Sequence, residues 1–186
     1  MARRADSLAI TGAMPQRTDI FSLGRMGLTS GEGRRLELHT TLAALELGGE
    51  RYTPDPALVP VRLDISRTTG NGYALRLRFS ATLTGPCMRC LGPAAPSFDI
   101  DAREVNQPGA GDEDMSSPYV DADDDLDLSA WARDAFALAV PTQITCAPEC
   151  RGLCPHCGAN LNDDPDHAHE AEPDQRWAKL SEIRFE

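Results

Sequence analysis

The 186-residue sequence has no long hydrophobic run. A membrane-spanning helix needs roughly 20 consecutive apolar residues, so an integral membrane protein is not predicted. The apolar stretch from Leu8 to Met14, behind Arg3 and Arg4, is short and is interrupted by Thr11. We therefore expect no signal peptide and a cytoplasmic location, where thiols are kept reduced.

The C-terminal part of the chain is poor in basic residues. Residues 1–40 hold six basic and four acidic side chains, residues 41–105 hold seven of each, and residues 106–186 hold five and eighteen. Affinity for nucleic acid comes largely from Lys and Arg side chains that displace counterions. This acidic part therefore suits a basic protein partner better than DNA or RNA.

The sequence also lacks motifs that bind a catalytic metal ion and motifs that recognise DNA. The sequence contains no H-E-x-x-H and no basic recognition helix, so a DNA-binding regulator is not predicted. The acidic run from Asp121 to Asp125 lacks the ligand spacing of a calcium loop. We interpret these charges as favouring the N-terminal end of the next helix through its dipole.

What the chain does contain is six clustered cysteines. Cys87 and Cys90 form one C-x-x-C pair, and four more cysteines lie within residues 146–157. Thiols two or three residues apart, next to Pro and Gly, can point at one ion, and zinc takes four such ligands in a tetrahedron. In a reducing compartment, clustered pairs indicate metal ligands rather than disulfides.

His167 and His169 raise the number of candidate ligands to eight, enough for two closed, structural zinc sites. His-x-His in an extended chain projects both rings to one side. A four-thiolate site carries net charge −2, which Arg89 and Arg151 are placed to offset. The preferred partition is Cys87, Cys90, Cys146 and Cys150 in one site, and Cys154, Cys157, His167 and His169 in the other.

Other partitions remain open on spacing alone. One is a ribbon in which Cys87 and Cys90 join Cys154 and Cys157, which leaves Cys146 and Cys150 unused. In another, the four cysteines of residues 146–157 share a single ion, and in a third no metal is bound. The spacing therefore predicts one or two structural zinc ions without fixing their number.

Hydrophobic alternation predicts an α+β fold, mainly an antiparallel β domain with one central amphipathic helix and a C-terminal zinc-knuckle segment. Tyr73 to Leu83 alternates strictly after a Thr69–Gly72 turn, and the Pro-rich stretch Tyr52–Pro60 indicates a connector. The predicted organisation is a disordered leader (1–18), a β-rich domain (19–145) with a loop at 106–117 and a helix at about 127–139, and a zinc-binding segment (146–186) packed on that domain.

Several phrases resemble the YceD family, the large ribosomal RNA subunit accumulation proteins. They are Cys87-Met-Arg-Cys90-Leu, Gly152-Leu-Cys-Pro-His-Cys157-Gly-Ala-Asn-Leu-Asn162 and the closing Asp174–Leu180. Two positions depart from the family pattern: His167-Ala-His169 replaces a common C-x-C pair, and Gln175 replaces a proline. Both kinds of pair can ligate zinc, so the chemistry of the site is retained.

The resemblance implies a non-enzymatic factor that supports accumulation of large-subunit ribosomal RNA and assembly of the large ribosomal subunit. The expected partner is a basic large-subunit ribosomal protein, ribosomal RNA or both, with no membrane and no DNA. Arg62, Arg76 and Arg78 could touch RNA from the polar face of two strands, but a solvated sheet face is the preferred explanation of these arginines. The alternatives are a zinc-dependent RNA-processing enzyme, which needs an open metal position, and a thiol or zinc redox sensor.

Overall fold

The computed structural model describes residues 15–107 and 115–169. Most of the predicted leader, residues 108–114 of the predicted loop and the closing Asp174–Leu180 phrase lie outside these ranges. Within them the chain is mainly antiparallel β-sheet with one α-helix, in agreement with the predicted α+β class. The elements are β1 (Ile20–Ser22), a 3-10 turn (Gly24–Met26), β2 (Gly33–Thr41), β3 (Leu45–Leu47), β4 (Glu50–Asp55), β5 (Leu58–Arg67), β6 (Tyr73–Pro86), β7 (Pro93–Ala94), β8 (Ser97–Asn106), β9 (Asp125–Asp127) and α1 (Leu128–Ala139).

Strand β6 is the centre of the main sheet. It pairs with β5 and β4 on one side and with β8 on the other, and the path across the sheet runs β2-β5-β6-β4-β3. The predicted turn between β5 and β6 is confirmed, since the Thr68 N–H donates to the Gly72 carbonyl and Asn71 adopts φ 64°. Asparagine tolerates this left-handed conformation better than most residues. The long β6 strand then carries the chain directly to Cys87.

Alternate residues of β5 and β6 build the core. Their inward side chains are buried while the intervening positions are half-buried or exposed, the burial pattern of a sheet with one covered face. Helix α1 packs across β8 and β2, and its Trp131 and Phe136 are buried. Asp127 caps the helix, because its Oδ1 accepts from the Ala130 N–H at 2.9 Å. In the described ranges, no helix combines the length and apolar character needed to cross a membrane.

The prediction that Tyr52–Pro60 is a connector is wrong, because most of it lies in β4 and β5. Pro54 and Pro60 each occupy a non-hydrogen-bonded pair of the ladder, where the N–H that proline lacks is not required. Pro54 faces Leu83, whose own N–H donates to Pro96, and Pro60 faces His39, whose carbonyl accepts from Thr18. An antiparallel ladder alternates bonded and non-bonded pairs, so proline fits at alternate positions.

The end of α1 differs from the predicted apolar stripe. Leu138 has the spacing of the buried positions, yet it is 88% exposed. Ala137 and Ala139 are exposed as well, so the last turn extends beyond the sheet that covers the rest of the helix. The periodicity of the sequence could not show where that cover ends.

Candidate metal centres

Four sulfur atoms meet where β6 ends, in a group that we call the sheet site. Cys87 Sγ lies 3.7 Å from Cys150 Sγ, and Cys90 Sγ lies 3.6 Å from Cys146 Sγ. All four sulfurs lie within 4.8 Å of one another. Zinc–sulfur bonds of about 2.3 Å in a tetrahedron place sulfurs about 3.8 Å apart. The spacing of the thiols therefore fits a four-coordinate ion.

The turn after β6 fixes the first two cysteines. The Cys87 N–H donates to the Gly92 carbonyl at 2.7 Å, and the Leu91 N–H donates back to the Cys87 carbonyl at 2.9 Å. The buried Tyr52 supports the same turn, because its hydroxyl donates to the Pro86 carbonyl at 2.8 Å. This turn, residues 87–92, which we call the first knuckle, is thus closed by its own backbone bonds and supported from the sheet by Tyr52.

The segment after α1 brings the other two cysteines to that turn. The Met88 N–H donates to the Ile144 carbonyl at 2.8 Å, and the Ile144 N–H reaches the Met88 sulfur at 3.3 Å. Ile144 is fully buried. Cys146 follows it by two residues, so this pairing delivers the second cluster to the first.

The thiols of the sheet site differ in how readily they ionise. Burial opposes ionisation of Cys87, but the Cys90 and Arg89 N–H groups donate towards its sulfur and lower its pKa to about 6. The neighbouring sulfurs of Cys150 and Cys90 raise the pKa of Cys146 to about 12. Crowded thiolates repel one another, and a divalent cation relieves that repulsion.

The second group, which we call the loop site, consists of Cys154, Cys157, His167 and His169. Cys157 Sγ lies 3.2 Å from His167 Nε2, which is 3.0 Å from His169 Nε2. The four ligand atoms lie within 4.8 Å of one another. In a tetrahedral zinc site the nitrogens would be about 3.3 Å apart, and a sulfur–nitrogen pair about 3.6 Å apart. Only small movements would fit this group to an ion.

A carboxylate lies on the outer side of one loop-site ring. Asp164 Oδ2 is 3.5 Å from His167 Nδ1. Metal-binding histidines usually direct their second nitrogen to such an acceptor, which favours the tautomer with a free Nε2 lone pair. In the knuckle of the same site, the Cys157 and His156 N–H groups donate to Cys154 and lower its pKa to about 6.

The structure thus groups all eight candidate ligands as the preferred partition does, and the ribbon arrangement does not occur. That these ligands hold ions stays a prediction. His156 is exposed and outside the group, although its ring centroid lies 5.3 Å from that of His169.

The side chain that supports the sheet site is one that the sequence analysis did not single out. Asn162 Nδ2 lies 3.5 Å from Cys150 Sγ. Burial raises the pKa of Cys150, but the Asn162 amide and the Gly152 N–H outweigh it and the pKa lies below its usual value. The predicted helper Arg151 instead directs its guanidinium to the Pro165 carbonyl. An asparagine shortly after a C-x-x-C-G knuckle was the only available signal.

Four arginines of the polar sheet face are paired. Arg35 and Arg78 both contact Asp64, and the Arg35 guanidinium, against partial burial, holds the pKa of that carboxyl below its usual value. Arg62 pairs with Glu37, and Arg76 with Asp101. Three carboxylates thus offset most of the charge of these four arginines, which agrees with the interpretation of a solvated sheet surface. The carboxylates of these ion pairs are Glu37, Asp64 and Asp101.

A cavity of about 560 Å³ lies beside the sheet site. Its walls are mostly apolar, and Glu50 is its only charged lining residue. Cys87 borders the cavity, but its sulfur belongs to the four-sulfur group. The lining includes Leu47, Tyr52, Pro86, Met88 and Leu91.

Comparison with known proteins places these sites in a family. Residues 75–184 match the family described as "Large ribosomal RNA subunit accumulation protein YceD". An uncharacterized protein of Mycobacterium tuberculosis is 33% identical over 177 residues, which cover 92% of this chain and 82% of that protein. An uncharacterized protein of Mycobacterium leprae is 27% identical over 175 residues, covering 89% and 76%.

A Zea mays protein is also similar: "Large ribosomal RNA subunit accumulation protein YCED homolog 1, chloroplastic" is 28% identical over 178 residues, covering 76% of this chain and 58% of that protein. No solved structure matches. The family match spans all eight candidate ligands. The resemblance seen in the cysteine phrases is confirmed, and the chain belongs to the YceD family.

Proposed function

We propose that this protein is a non-enzymatic factor that supports accumulation of large-subunit ribosomal RNA and assembly of the large ribosomal subunit. The family description supports the process. The observation that carries the non-enzymatic part is that each candidate site has four protein ligands. A catalytic zinc normally has three protein ligands and one open position. Two structural zinc ions would therefore hold the fold together without taking part in a reaction.

A basic protein is the partner that the charges favour. The net charge of the chain is −11, and exposed carboxylates flank both the helix and the loop site, including Asp121, Asp123, Asp163 and Asp166. The sheet arginines best placed for RNA are already paired. We propose that the protein acts in the cytoplasm, on a basic large-subunit ribosomal protein.

Depletion in cells, followed by complementation, tests the process. The expected result is a lower ratio of large-subunit to small-subunit ribosomal RNA, restored by the wild-type chain and not by Cys87→Ser. Ala137→Ser, an exposed change on α1 outside both ligand groups and the acidic clusters, is the control and should restore the ratio. An unchanged ratio on depletion would contradict the proposed function.

Affinity capture under reducing conditions tests the partner. A basic large-subunit ribosomal protein should be recovered, and its binding should weaken as salt screens the exposed carboxylates. Recovery of ribosomal RNA alone, resistant to removal of bound protein, would replace the proposed partner with RNA. Cleavage of ribosomal RNA precursors by the purified zinc-loaded chain would instead favour the enzyme.

A thiol-based sensor is the second candidate, because Cys157 is exposed at the loop site. Oxidation of a zinc-bound thiolate would release the ion. Mild peroxide should then release one metal equivalent and reduce partner binding, and a reductant should restore both. Retention of both ions under peroxide would exclude this candidate.

A further inference from the structure

The two candidate metal sites are joined by one short segment of chain. Residues Arg151 to Leu153 leave the sheet site and lead into the loop site. The Leu161 N–H donates to the Gly152 carbonyl at 2.9 Å. Gly152 has φ 79°, and a Cβ there would lie only 3.1 Å from the Arg89 carbonyl. The link is therefore packed against the first knuckle.

Asn162 makes a directional contact across this link. Its Oδ1 accepts from the Arg151 N–H at 2.8 Å. Its Nδ2 donates to Asn160 Oδ1 at 2.8 Å and reaches Cys150 Sγ at 3.5 Å. The Asn162 N–H also donates to Asn160 Oδ1, at 3.1 Å. These bonds fix the amide so that an N–H points at a sulfur of the sheet site.

The position of Asn162 in the chain makes its orientation depend on the other site. It lies between Cys157 and His167, whose ligand atoms are 3.2 Å apart. An ion that binds both residues closes the loop that contains Asn162 and restricts its motion. The amide is then already oriented when the thiolates of the sheet site need a donor.

We propose that Asn162 couples the two metal sites, so that an ion in the loop site strengthens metal binding at the sheet site. This inference rests on the proposed binding of structural metal. Outer-shell donors of this kind change metal affinity by about 10–100-fold. Coupling of binding free energies is reciprocal, so an ion in the sheet site strengthens binding at the loop site equally.

The test titrates the reduced, metal-free full chain with cobalt(II), whose absorption bands differ between four-sulfur and two-sulfur, two-nitrogen coordination. Cys157→Ser removes one ligand of the loop site. His169→Ala removes another, which is exposed and lies at the end of the described residues. Either change should weaken cobalt binding at the sheet site about fivefold, within the usual range of coupling. In an Asn162→Ala background, the same changes should have no further effect.

Two single substitutions distinguish loss of the Asn162 amide donor from general disruption of the loop. Asn162→Asp keeps an acceptor for the Arg151 N–H but replaces the donor with a carboxylate beside a thiolate, so it should weaken the sheet site at least tenfold. Asp163→Asn is the matched reverse exchange one residue further on, and it should leave both affinities unchanged.

Equal sheet-site affinity with and without the loop-site ligands would overturn the coupling while leaving two structural metal sites. An equal effect of loop-site loss in the wild-type and Asn162→Ala backgrounds would overturn the role of Asn162. Absence of cobalt binding in every variant would overturn the metal-dependent part of the proposed function together with the coupling.

Discussion

The sheet site and the loop site use similar ligands but belong to different parts of the fold. Cys87 and Cys150 are 63 residues apart, whereas Cys157 and His167 are ten apart. Three of the four sheet-site ligands are buried, compared with one of four at the loop site. Linking distant parts of a chain removes more conformational freedom from the unfolded state. The same ligand chemistry therefore joins distant parts of the domain at the sheet site and closes a short loop at the loop site.

The largest expected effect comes from removing a sheet-site ligand. Cys87→Ser should lower the free energy of unfolding by at least about 4 kcal/mol, since loss of a structural metal is among the most damaging single changes. That is most of the stability of a typical domain. Chemical denaturation and metal analysis of the purified variant would measure both effects. A variant that lost its ion and kept wild-type stability would remove the distinction between the sites.

The next largest effect tests the attachment of the first knuckle to the sheet. In Gly85→Ala the new methyl group would overlap the ring of the buried Tyr52. Overpacking of this kind costs about 1–3 kcal/mol, and it should also weaken metal binding at the sheet site. Thermal unfolding and cobalt titration would detect the two effects.

Gly158→Ala is the matched control for this change. A Cβ at Gly158 meets no atom within 4 Å, and only its φ of 75° opposes the substitution. The expected cost is about 1 kcal/mol, confined to the loop site. Equal losses of stability in the two variants would indicate that the sheet does not hold the first knuckle as the contacts suggest.

A smaller global effect is expected from the loop site. Cys154→Ser should release one metal equivalent and unfold the surrounding C-terminal segment, while the sheet stays folded, because local regions can open independently of the core. We expect a loss of about 1–2 kcal/mol in global stability. Hydrogen exchange would show faster exchange in residues 151–169 and little change in β5 and β6. Unchanged metal content and thermal stability would show that this site is wrongly assigned.

Local patterns predicted much of this structure. Alternation from Tyr73 to Leu83 gave the central strand, Thr69–Gly72 gave its turn, and a 3.6-residue period gave the helix within one residue of its observed start. Counting four ligands for each zinc ion predicted the grouping of the eight cysteine and histidine residues that the fold adopts. Each of these depends on neighbours in sequence or on the fixed coordination number of an ion.

What the sequence could not show depends on distant partners. Pro54 is compatible with β4 only because Leu83 directs its N–H elsewhere. Leu138 is exposed because the sheet ends before the helix does, and Asn162 reaches a sulfur brought by another part of the chain. Periodicity and turn propensity report only on neighbours in sequence, so they could not reveal these contacts.

The smallest expected effect lies in the outer shell of the loop site. Asp164→Asn removes the carboxylate charge 3.5 Å from His167 Nδ1 while an amide oxygen can still accept a hydrogen bond. Because the carboxylate side chain is 61% exposed, the loss of metal affinity at the loop site should be only about fivefold, below the 10–100-fold usual for outer-shell partners. Global stability should change by less than about 0.5 kcal/mol, as for most surface substitutions. Site-resolved cobalt titration would test this, and Asp166→Asn, an exposed change next to His167 but outside its ion pair with Asp164, is the control. A loss at the loop site as large as that caused by Asn162→Asp at the sheet site would mean that the exposed site depends on its outer shell as strongly as the buried one does.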